Sequence, residues 1–258
     1  MDKSFEIIGG DSGYIKIEID DYRKEVLEMN ICGLQKTTLL DYPGHVAATI
    51  FLGGCNFRCP FCHNGDLLYG PFGNHIPEAD IFNFLKKRAS VLEGVCITGG
   101  EPTLQPGLEA FIVKIKELEL SVKLDTNGYR PDVLKTLCGK GLIDYVAMDI
   151  KSGKSGYGKA AGCAGLELSK IEESIQFLMG QTVPFEFRTT VVRELHTAED
   201  FKEIGPWLDG SPLYFLQNFE NSDQVLTPGF SSYTKEELTA FKDLVSPYIR
   251  HVELRGID

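Results

Sequence analysis

From about residue 46, short apolar runs alternate with segments whose apolar residues recur every three or four positions. The run VAATIFL (46–52) suits a buried strand, and EADIFNFLKKRASVL (78–92) has helical spacing. GVCITGG (94–100) predicts a strand closed by a glycine turn, followed by the amphipathic helix PGLEAFIVKIKEL (106–118) with proline at its start. SVKLDTNG (121–128) is a strand and turn. RPDVLKTLCGKG (130–141) is a helix with glycine beyond its end. The pattern continues as strand IDYVAMDIK (143–151), helix LELSKIEESIQFLMG (166–180) and strand VPFEFRTTVV (183–192). TAEDFKEIGPWL (197–208) is a helix opened by a threonine cap and an acidic first turn. Strand PLYFLQNF (212–219), helix TKEELTAFKDLV (234–245) and a short strand HVELRG (251–256) complete it. Residues 1–30 stand apart: GYIKIEID (13–20) alternates like a strand and DYRKEVLEM (21–29) could form a turn or two of helix, an appendage to a main domain over 31–258.

About six strand–helix repeats argue for an α/β fold with a parallel sheet covered by helices and right-handed crossovers. A (β/α) barrel and an open doubly wound sheet both satisfy the pattern, and both place ligands at the C-terminal ends of the strands. Those ends carry unusual residues. Cys55, Cys59 and Cys62 follow the first strand of the repeat, TGGEP (98–102) the second, DTNG (125–128) the third and DIK (149–151) the fourth. Four polar or glycine-rich stretches should therefore converge on one rim.

Composition narrows the function classes. A formal net charge of −11 over 258 residues disfavours non-specific nucleic-acid binding, which needs a basic surface. No stretch approaches the roughly 18 apolar residues of a membrane span. The opening MDKSFEIIGGDSG lacks the apolar core of a signal peptide, so a cytoplasmic location is expected. Thiols stay reduced there, and the bunching of three of the seven cysteines suggests a metal centre rather than disulfides.

The stretch GGCNFRCPFCHNG (53–65) admits several chemistries. C-P-F-C-H matches haem attachment, but leaves Cys55 without a role and lacks an export signal. Zinc needs a fourth ligand, and His63, adjacent to Cys62, rarely folds back onto the same ion. A [4Fe–4S] cluster on three thiolates leaves one iron free to bind something else. Three buried thiols on a turn would be the purely structural alternative.

The C-x3-C-x2-C spacing, with Phe61 just before the third cysteine, resembles the signature of radical S-adenosylmethionine (SAM) enzymes. ITGGEP (97–102) resembles that family's glycine–glycine–glutamate stretch, and DTNG and VAMDIK (146–151) resemble those of the glycyl-radical-enzyme activases. GLQKTTLLDYPGHVAATIFLGGCNFRCPFCHN (33–64), FRTTVV (187–192), YFLQNF (214–219) and VELRG (252–256) are similar to the long form of anaerobic ribonucleoside-triphosphate reductase activating proteins. The resemblance implies a partial (β/α)6-type barrel, with Cys55, Cys59 and Cys62 holding one [4Fe–4S] cluster. SAM would bind on the open iron, where the reduced cluster cleaves it to methionine and a 5′-deoxyadenosyl radical. It places Phe61, His63, Gly99, Gly100, Glu101, Asp125, Thr126, Asn127, Met148 (by its carbonyl), Asp149 and Lys151 around SAM or a nearby cation. Where some activases carry a histidine near the adenine, this chain has Phe219, whose ring offers stacking instead. The implied partners are a glycyl radical enzyme, in particular an anaerobic ribonucleotide reductase, and a one-electron donor such as flavodoxin. A small-molecule substrate and a non-catalytic iron–sulfur carrier are the alternatives; a carrier would want a fourth protein ligand.

Overall fold

The computed structural model describes residues 29–180 and 183–257, so the expected strand and helical turns before Met29 lie outside the described residues. Eight strands form one sheet in sequence order: β1 (Ile31–Thr38), β2 (Ala47–Leu52), β3 (Gly94–Gly99), β4 (Ser121–Thr126), β5 (Tyr145–Asp149), β6 (Phe185–Val191), β7 (Tyr214–Asn218) and β8 (Val252–Arg255). Strands β2 to β8 run parallel, each beside its predecessor, as a partial barrel. The helices are α1 (Glu78–Arg88), α2 (Leu108–Lys116), α3 (Pro131–Gly139), α4 (Tyr157–Ala160), α5 (Leu168–Met179), α6 (Ala198–Trp207) and α7 (Lys235–Val245).

The repeat from residue 46 is present as expected. Strand β1 departs from it: it pairs antiparallel with β2 and closes the edge of the sheet. Its sequence ICGLQKTT carries no clean alternation, and its pairing with β2 is interrupted by register shifts between Ile31 and Gly33 and between Gln35 and Thr38. Helix α7 opens on a reciprocal cap. Thr234 Oγ1 accepts from the Glu237 N–H at 3.3 Å, and Glu237 accepts in return from the Thr234 N–H at 2.8 Å.

Parallel strands covered on both faces usually read as unbroken apolar runs. Here they alternate. One face carries Ile50, Ile97, Leu124, Met148, Phe187 and Leu216, all fully buried in a core shared with the helices. The register places the intervening positions on the opposite face: Asp125 beside Ala147, Asp149 beside Arg188, and Thr190 beside Gln217. The apolar face builds the fold, and the polar face lines the concave side. Truncating the apolar face at Phe187→Ala should cost about 3–5 kcal/mol of stability in urea unfolding.

Candidate functional site

The cysteine loop leaves β2 and is held by backbone contacts rather than by a core of its own. The Gly54 N–H donates to Leu67 O at 2.7 Å, and the Arg58 N–H to Ala161 O at 2.9 Å. The Arg58 guanidinium donates to Cys55 O and Phe57 O and stacks on Tyr69 at 3.9 Å. On the other side, the Leu226 and Thr227 N–H groups donate to Cys62 O and Pro60 O at 3.0 and 2.9 Å.

The glycine pair at the end of β3 lets this loop lie against the sheet. Gly99 has φ +115°, and a Cβ there would stand 2.4 Å from Leu52 backbone atoms. A Cβ on Gly100 would stand 2.1 Å from Gly54 O. Bare backbone permits the Gly100 N–H to reach Leu52 O at 2.7 Å and the Glu101 N–H to reach Gly54 O at 2.8 Å.

The result is a cavity of 240 Å³ at the C-terminal rim of the strands. All three cysteines face it, with Phe61, His63, Gly99, Gly100, Asp125, Thr126, Asn127, Asp149 and Lys151. Twelve of the fourteen residues singled out from the sequence thus converge on one space. Glu101 and Met148 do not line it. Glu101 is buried behind the wall, where its carboxylate accepts from the Thr103 N–H at 3.1 Å, Thr126 Oγ1 at 2.7 Å and the Asn127 N–H at 2.7 Å. It ties the ends of β3 and β4 together; burial raises its carboxyl above the usual range against these hydrogen bonds. The Met148 side chain packs beneath Gly128 in the core. Phe219 is also buried away from the cavity, with the His63 ring over it at 5.4 Å and His63 Nε2 against Glu220 O at 2.5 Å. His63, not Phe219, is therefore the aromatic ring that lines the cavity there.

The sequence reading passed over Arg188. On β6 it lies between the two aspartates of β4 and β5, its Nη1 3.2 Å from Asp125 Oδ2 and its Nε 3.0 Å from Asp149 Oδ1. Lys123 caps the other Asp125 oxygen, and Lys151 the other Asp149 oxygen at 3.0 Å. Every oxygen of both carboxylates is thus engaged, and three cations against two anions leave one positive charge over. Arg188 occupies the gap between the carboxylates where the resemblance allowed a free cation. The signal was present in the sequence: Glu186 and Arg188 interrupt a strand whose other face is Phe185 and Phe187.

The row opens toward the cavity, from a Lys123 side chain 2% exposed to an Asp149 side chain 31% exposed. Burial alone would raise the Asp149 carboxyl, but Lys151 and Arg188 outweigh it and hold it at about 2. Asp125 is likewise lowered by Arg188 and Lys123 against burial, and Asp149 raises Lys151 against burial. The thiols move the other way. Burial, then the Glu101 charge, pushes Cys55 up to about 12, and burial pushes Cys59 up to about 11. Without a metal they are neutral, and a metal must displace their protons.

This donor set fits an iron–sulfur cluster. Three soft sulfurs face one cavity, yet among the described residues no three His, Cys, Asp or Glu side chains close on a point as one ion requires. The remaining lining, with bare glycine backbone and the Lys151 ammonium, suits a ligand that carries a carboxylate alongside.

The chain belongs to the radical SAM superfamily, whose model matches residues 49–205. The cofactors of that family are a [4Fe–4S] cluster and SAM. Among relatives, the chain is 34% identical over 236 residues to a Methanocaldococcus jannaschii protein named "Putative glycyl-radical enzyme activating enzyme", covering 88% of this chain and 96% of that one. It is 30% identical over 130 residues to the pyruvate formate-lyase-activating enzyme of Clostridium pasteurianum, covering 47% of this chain and 52% of the relative. In fold it resembles Streptococcus suis SuiB bound to SAM, with TM-score 0.61 and 15% identity over 78% of this chain and 48% of that one. Among the described residues no helix is long and apolar enough to cross a membrane.

Replacing Arg188 by Met should leave Asp125 and Asp149 facing each other and destabilise the protein by about 3–5 kcal/mol in urea unfolding. Arg188→Lys, which keeps the charge, should cost less. Because Asp149 is held below its unfolded value, its contribution is complete above about pH 4. That contribution should fade as pH falls toward about 2, and Arg188→Met should weaken this acid dependence without abolishing it, because Lys151 is the larger of the two lowering charges.

Proposed function

We propose that this protein is a glycyl-radical-enzyme activase, with an anaerobic ribonucleotide reductase as its partner. The observation that carries the reading is the meeting, on one cavity, of three thiols with Lys151 and the Asp149–Arg188–Asp125 row. Similarity to the two named activating enzymes over most or half of the chain supports the class of partner.

In this reading Cys55, Cys59 and Cys62 each give a thiolate to one iron, and the fourth iron is left for SAM. Bound together, cluster and SAM supply the electron and the carbon radical that takes a hydrogen atom from the substrate. The chain's own work is placement. Lys151, backed by Asp149 and Arg188, meets the methionine carboxylate. Gly99 and Gly100 let the cofactor lie close to the β3 backbone, while Thr126 and Asp125 offer polar contacts. Phe61, 5% exposed and edge-on to His196, packs as an apolar wall beside the cysteines. No side chain is asked to move a proton. A partner glycine loop and a one-electron donor such as flavodoxin complete the system.

Anaerobic reconstitution with iron and sulfide should load one [4Fe–4S] cluster, and dithionite with SAM should then yield 5′-deoxyadenosine. Cys59→Ala should abolish the product; a variant as active as the native chain, or no product from either, sinks the reading. Incubation with the anaerobic ribonucleotide reductase should produce the EPR doublet of a glycyl radical. A doublet on a different glycyl radical enzyme only would reject the reductase as partner.

A further inference from the structure

The three cysteines are not equivalent in what surrounds their sulfurs. Cys55 Sγ accepts from the Phe57 N–H at 3.4 Å, and Asn127 Nδ2 stands 4.0 Å from it. The orientation of the Asn127 amide follows from the backbone. Its Oδ1 accepts from the Tyr129 N–H at 3.0 Å, so its Nδ2 must face the other way, where it donates to Asn56 Oδ1 at 2.8 Å. The second Nδ2 hydrogen remains for the sulfur.

Asn56 must therefore present oxygen to Asn127, which turns its own Nδ2 elsewhere. That Nδ2 is buried and has no hydrogen-bond partner among the described residues. A buried donor left unpaired is costly, and few survive in folded proteins without a reason. Here the orphan belongs to an amide whose oxygen is 3.9 Å from Cys55 Sγ. Both amides are tied down by the fold: Asn56 within the cysteine loop, and Asn127 by its N–H to Glu101.

We propose that Asn127, held in place by Asn56, is a donor to Cys55 that raises the reduction potential of the bound cluster. Asn127 Nδ2 donates to the Cys55 thiolate, and Asn56 Oδ1 holds the Asn127 amide in that orientation. The inference rests on the cluster assignment above. Donors to ligand sulfur stabilise the more negative, reduced state, so this one makes the cluster easier to reduce. Both asparagines are then positioning residues, acting on the cluster through Cys55.

The test is an EPR-monitored redox titration of the full chain with its cluster reconstituted. Asn127→Asp keeps the acceptor for the Tyr129 N–H and puts an anionic oxygen where the donor was. Asn56→Ala removes the orphan and releases Asn127. With iron and sulfide contents equal to native, the reduced-to-oxidised ratio at a fixed poise should fall by about tenfold in Asn127→Asp, equivalent to ~59 mV for one electron, and by less in Asn56→Ala. Unchanged ratios in fully loaded variants would overturn the proposal. If Asn127→Asp takes up no cluster, Asn56→Ala decides by the same ratio. Loss of cluster from both variants would show the amides holding the loop rather than setting the potential, and would also overturn it. A native chain that takes up no cluster would instead refute the function proposed above.

Discussion

The site depends on a row of five charges laid across three strands: Lys123, Asp125, Arg188, Asp149 and Lys151. Putting so many ions on the inner face of a sheet is expensive, since desolvation commonly outweighs what one pair returns. Alternation of sign along the row is what makes it tolerable. Each carboxylate is flanked by two cations, and the row runs from dry interior to open cavity, so Lys151 at the open end can face an incoming anion. Strand register does the alignment. Asp149 lies directly beside Arg188, and a slip of one residue on β6 would turn Arg188 into the apolar layer.

The cysteine loop obeys a different economy. It buries Phe57, Cys59 and Phe61 in the common core, and it is fixed further by backbone hydrogen bonds with β2, the end of β3 and the segments that follow β5 and β7. Gly99 and Gly100 matter to the loop before they matter to any ligand, because their missing Cβ atoms let the strand ends meet. Glu101 belongs to the same scaffold. Its carboxylate is consumed in stitching β3 to β4, which is why a residue expected at the cavity surface lies behind it.

Much of this was legible in the sequence. The parallel strands and their helices followed from periodicity, and the rim followed from where strands end. Twelve of the fourteen candidate residues reached the cavity because the C-terminal rule for α/β sheets acts on backbone direction, which sequence order determines. What was missed depended on facing rather than on order. Arg188 lies in mid-strand, where only the two-residue period tells inside from outside. Glu101 and Phe219 stand at the right height but point into the wall. Strand β1 escaped notice because its pairing with β2 is broken by two register shifts and its burial does not alternate.

Among the described residues the sheet does not close. Strand β1 pairs only with β2, and β8 only with β7, so the two ends of the strand order are not joined to each other among the described residues. A closed ring would admit visitors only end-on, through its mouth. An unclosed one has a seam along its side, against which a length of polypeptide can be laid without being threaded. A partner protein could present a single residue to the rim while both flanking stretches stay connected to its own body.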